Sequence, residues 1–166
     1  IFAGLCAGMS QAATSVNAQV TAMVFEALTI TNQQPLNFGH ITPTAGGGTV
    51  VISTSGVRTV NGGVQVAGSF NHASFAVQGA PDRAYSIHTP ASQIFVSDAV
   101  NPNPALVNAL TVNNFTTESV NHGAPSATGQ LSHSGADTIY LGGTLVVPAN
   151  AVSGVYSGLV PVTVSY

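Results

Sequence analysis

Charge is what this sequence has least of. Asp, Glu, Lys and Arg make up 4% of its 166 residues, against roughly 25% in an average soluble protein. Lysine is absent, and besides five histidines the only basic side chains are Arg58 and Arg83. Two arginines cannot neutralise a track of phosphates, which speaks against nucleic-acid binding. Polybasic attraction to an anionic lipid surface fails for the same reason. Cysteine occurs once, as Cys6, inside an opening apolar run too short to span a bilayer. A chain without that run has no thiol and can close no disulfide. Long helix formers are few as well.

What is present is β-rich in character. The chain is 45% hydrophobic, which opposes disorder, and Thr, Val, Asn and Gly are plentiful. Its length suits one domain with a proper core. The opening IFAGLCAGMSQAA ends in small residues, with Ser10 and Ala12 at the −3 and −1 positions of a cut before Ala13. Residues 1–12 therefore read as the remnant of a secretory signal peptide. Leu5 before Cys6 is a poor fit to a lipoprotein anchor.

The stretch after it, TSVNAQVTAMVFEALTIT, alternates cleanly. Val16, Ala18, Val20, Ala22 and Val24 are apolar, whereas Ser15, Asn17, Gln19 and Thr21 are polar. Period two is the mark of a strand with one buried face. A long chargeless strand of this kind can complete its own sheet or add to another subunit's. Residues 13–25 are thus expected to be an N-terminal extension or donor strand, and residues 26–166 a sandwich domain.

Further on, short strands and turns alternate. Gly46-Gly47-Gly48 reads as a turn before a strand at 49–54, and Asn61-Gly62-Gly63 as a tight hairpin between 57–60 and 64–67. Strands are expected at 73–77, 84–87, 94–96, 109–115, 138–147 and 155–166. Residues 101–104 should loop, one helical turn fits 104–108, and 117–135 reads as a long surface loop. Turn signals every eight to twelve residues argue for an all-β sandwich rather than a βαβ fold. On the last strand Tyr156, Gly158, Val160, Val162, Val164 and Tyr166 share a face.

An ordered set of motifs runs through the chain: Leu36-Asn37-Phe38-Gly39, Phe75-Ala76-Val77-Gln78-Gly79, Leu141-Gly142-Gly143-Thr144-Leu145, and Gly154-Val155-Tyr156-Ser157-Gly158, closing in Val162-Thr163-Val164-Ser165-Tyr166. From Ser15 to Tyr166 it resembles a large family of secreted bacterial domains of unknown function, similar to archaic chaperone–usher pilins and spore coat U proteins. The resemblance implies an immunoglobulin-like, pilin-like β-sandwich completed by an N-terminal donor strand. It also implies a place on the cell surface or in an extracellular filament. Neighbouring copies, a periplasmic assembly chaperone and an outer-membrane usher would be the partners. Many archaic pilins carry a disulfide, which this chain lacks once Cys6 is removed.

Little in the sequence points to chemistry. His40, His72, His88, His122 and His133 lack the close pairing of zinc ligands. Glu26, Asp82, Asp98, Glu118 and Asp137 show no converging pair of the kind a glycosidase needs. No G-x-S-x-G elbow, phosphate loop or dinucleotide fingerprint occurs. The expectation is a structural subunit, not an enzyme, without metal or cofactor. The alternative is a self-contained secreted binding module, such as an adhesin reading carbohydrate through its loops.

Overall fold

The computed structural model describes residues 14–90, 92–96 and 109–166. Residues 1–12, the loop expected at 101–104 and the helical turn expected at 104–108 lie outside them. The architecture is an all-β sandwich of antiparallel sheets, without a helix among the described residues. The larger sheet follows the order β1 (Thr29–Gln34), β4 (Ala73–Gln78), β9 (Ala136–Val147), β7 (Ala109–Ser119), β6 (Ser92–Val96), β10 (Tyr156–Ser157). Off that path, β2 (His40–Ile52) pairs with both β9 and β3 (Arg58–Ala67). The smaller sheet is β11 (Thr163–Ser165), β5 (Ala84–His88) and β8 (Thr128–Gln130).

β9 is the spine. One of its edges pairs along its length with β7, while the other takes β4 on its first half and β2 on its second. Its alternating residues feed two apolar clusters, Ile139 and Leu141 in one and Leu145 and Val147 in the other. The first cluster is roofed by the smaller sheet through Tyr85 and Ile87, with Val160, Val162 and Val164 against it. The second is walled by Phe38 and Tyr156.

Bulges re-aim side chains on the strands flanking β9. In β7 the pairing shifts between Asn113 and Thr116, with Asn114 left-handed at φ 48°. Buried positions are therefore even before it (Leu110, Val112) and odd after it (Thr117, Ser119). In β2 the same switch falls between Pro43 and Gly47.

The strands depart from the sequence reading at four places. Gly46-Gly47-Gly48 is no turn but the interior of β2, and Asn61-Gly62-Gly63 is no hairpin but the middle of β3. The glycines pair with one another, Gly47 with Gly63 and Gly48 with Gly62. A Cβ on Gly48 would strike the Asn61 carbonyl, so glycine serves close backbone approach here, not reversal. The reversal itself is at Ser53–Val57, closed by Gly56 N–H to the Ser53 carbonyl at 3.0 Å. Nor is 117–135 a surface loop: β7 continues to Ser119, β8 follows, and Ser119 and Leu131 are buried. Lastly, the strand expected at 155–166 is two pieces. β10 pairs with β6 in the large sheet and β11 with β5 in the small one, because Pro161 between them has no N–H to carry a continuous ladder.

Candidate functional site

An open groove of about 830 Å³ lies over the second cluster and reaches Phe75 and Leu141 of the first. Its floor is Phe75 of β4, Leu110 and Val112 of β7, and Leu141, Leu145 and Val147 of β9. One wall is chain from Asn32 to Pro43, leaving the end of β1 and entering β2. The other wall is 151–160, carrying β10. In the sheet order β1 and β10 stand at opposite ends with the floor strands between them. The large sheet therefore curls until its two ends face across an apolar trough. The smaller sheet, which would roof such a trough, covers the other cluster instead.

The alternating N-terminal segment does not fill it. Residues 14–28 form no strand and pair with none among the described residues. Val16, Val20 and Val24 are 94%, 90% and 92% exposed, and Ala18 and Ala22 are exposed with them. The five residues of the expected buried face are thus unburied in this chain, and the segment is not an inner strand of its own sandwich. On the expected C-terminal face, Tyr156, Val160, Val162 and Val164 are half-buried. Tyr156 packs on the groove cluster and the three valines on the other. Tyr166 is exposed, yet its hydroxyl accepts the Ala80 N–H at 2.6 Å and donates to the Glu26 carbonyl at 3.1 Å.

Sequence reasoning passed over the most polar feature of the interior. Asp137, the second residue of β9, is buried beneath β5 and β7. Its Oδ2 accepts the Tyr85 hydroxyl at 2.6 Å and the Ser119 hydroxyl at 2.5 Å. Its Oδ1 accepts the Thr138 N–H at 2.7 Å and the Asn121 N–H at 3.3 Å. A carboxylate partnered in this way ties three strands together. Gly129 makes room for it, since a Cβ there would collide with the Tyr85 ring. No local pattern announces this constellation, because residues 85, 119 and 137 meet only through sheet pairing.

Burial first, and then the hydrogen bond and charge of Asp137, push the Tyr85 phenol well above the ordinary tyrosine range. Burial raises Tyr156 too. The unfolded chain loses such protons near pH 10 whereas the folded chain keeps them, so stability is full below about pH 10 and falls as pH rises beyond it. Urea midpoints recorded between about pH 8 and 11 should decline above 10, and decline less steeply in Tyr85→Phe.

The remaining titratable residues are dispersed. His133 Nδ1 meets Asp82 Oδ2 at 2.9 Å on the surface, and the His72 ring meets that of Tyr140 at 4.7 Å between centroids, tilted by 55°. Glu118 accepts the Thr54 hydroxyl at 2.6 Å. Among the described residues no three His, Cys, Asp or Glu side chains gather as metal ligands would. No helix of the described residues is long and apolar enough to cross a membrane.

The sequence model of one family, described as a domain of unknown function (DUF4402), matches residues 28–166. The chain belongs to the DUF4402 family. The match begins one residue before β1 and takes in every strand, while the exposed segment 14–27 lies ahead of it. No curated protein and no solved structure matches this DUF4402 chain.

Proposed function

We propose that this DUF4402 protein is the subunit of an extracellular bacterial filament, built by donating residues 14–25 of one copy into the groove of the next. One observation carries the reading: the same chain has an open apolar trough and an exposed alternating segment that joins none of its own ladders. A strand laid between the walls would find a floor for alternate side chains. Val16, Ala18, Val20, Ala22 and Val24 supply such a row. From Val16 to Val24 an extended chain spans about 27 Å. The donor has no charge between residues 14 and 25, so an apolar trough can take it without stranding an ion. Before donation the open groove needs temporary cover, which is the task of an assembly chaperone, and an outer-membrane usher would pass subunits outward.

The test uses a synthetic peptide of residues 14–25 and a chain starting at Glu26. The shortened chain should stay folded, because the removed segment is exposed in the subunit. Peptide at a hundredfold excess over its dissociation constant should add about 2.7 kcal/mol to the unfolding free energy. A scrambled peptide should add nothing. A shortened chain indifferent to the true peptide would overturn donation and favour the self-contained binding module.

A further inference from the structure

The base of the donor segment is fastened, and the fastening is at the wrong end of the molecule for the segment to serve its own groove. The Arg83 guanidinium lies 4.1 Å from the centre of the Phe25 ring. On its other side Phe25 meets the Tyr166 ring at 6.3 Å, tilted by 47°. Tyr166 in turn bonds the Glu26 carbonyl and the Ala80 N–H. Arg83 Nη2 also points at the Met23 sulfur, 3.7 Å away. Residues 23–26 are thereby pinned to the turn between β4 and β5. A Cβ on Gly79 would strike both the Tyr166 hydroxyl and Leu28, so that turn is bare where the clamp sits.

The clamp lies at the pole away from the groove. β1 starts there, Thr29 opposite Gln78, and runs toward the groove wall, which begins at Asn32 and continues through Pro35–Phe38. The chain before Thr29 thus leaves in the direction opposite to its own groove. To fold back it would have to reverse near residues 25–28 and retrace β1 as far as Asn32, about 10 Å. That would use up about three residues, leaving the stretch from Val16 to Val20 to enter the trough. Folding back would also have to release the Met23 and Phe25 contacts, whereas another subunit's groove can take Val16 to Ala22 with the clamp intact.

We infer that Phe25, Arg83 and Tyr166 are positioning residues that hold the segment outward, so that it is given to a second copy rather than to the groove of its own chain. This rests on the donor reading above. Cation–aromatic contact and a hydrogen-bonded phenol fix direction well at a half-exposed site, where burial alone would not.

The test is a distance measurement in the full chain with Cys6→Ser, spin-labelled at Gln19→Cys and Gly46→Cys. Gln19 is on the polar face of the segment, and a side chain on Gly46 meets nothing within 4 Å. Labelled protein is diluted with unlabelled protein so that only pairs within one chain are read. The parent should give one long, narrow distance distribution. Phe25→Ala and, as a milder variant, Arg83→Gln should broaden it and add a short component, with the assembled fraction falling several-fold. A distribution unchanged in both variants overturns the clamp. Failure of the 14–25 peptide to bind overturns donation alone, since the distances in the isolated subunit report the clamp whether or not a groove accepts the segment.

Discussion

Val20→Asp should abolish assembly while leaving the subunit folded. In the free chain Val20 is almost wholly exposed, so the substitution should change unfolding free energy by no more than about 0.5 kcal/mol. In a donated strand the same position is the middle of the buried row. An unpaired carboxylate there costs roughly 3–5 kcal/mol, which lowers affinity by more than about a hundredfold. Gln19→Asp, one residue away and on the other face, should assemble normally. Sedimentation of both variants beside the parent decides the matter. Equal behaviour would sink the assignment of the buried face.

Asp137→Ala should be the most damaging single change to the domain itself. It strands the Tyr85 and Ser119 hydroxyls in the interior, at about 1–3 kcal/mol each, and frees the Asn121 and Thr138 N–H groups. A total loss of roughly 3–5 kcal/mol is a large part of the ~5–15 kcal/mol that holds a domain together. Asp137→Asn keeps the shape and one acceptor and should lose distinctly less. Tyr85→Phe and Ser119→Ala each remove one donor but leave the carboxylate with its other partners, so about 1–2 kcal/mol is expected for each. Urea titration of the four variants provides the ranking. Asn and Ala variants of equal stability would show that the carboxylate is not what ties β5, β7 and β9.

Local pattern alone determined a good deal. Alternation in β4, β5 and β9, the β-branched residues around Val50 and Ile52, and the scarcity of helix formers suffice for an all-β sandwich, since period-two burial is a property of neighbouring residues. They also single out residues 14–24 as a strand in need of a core. What they could not supply is any fact that depends on which strands meet. Glycine means reversal in a hairpin and close approach in a paired strand, and only the pairing of Gly47 with Gly63 tells the two apart. The bulge at Asn113–Thr116 shifts parity halfway along β7, so alternation breaks where the strand does not end. Asp137 is 18 residues from Ser119 and 52 from Tyr85, and the three become one network through β-ladders. The sequence likewise determined that Val16, Ala18, Val20, Ala22 and Val24 form one apolar row, but alternation does not say whose core buries it. Tertiary structure decided that the row lies outside its own sandwich, because residues 14–28 join none of its ladders and Phe25 is held by Arg83 and Tyr166 beside the turn between β4 and β5.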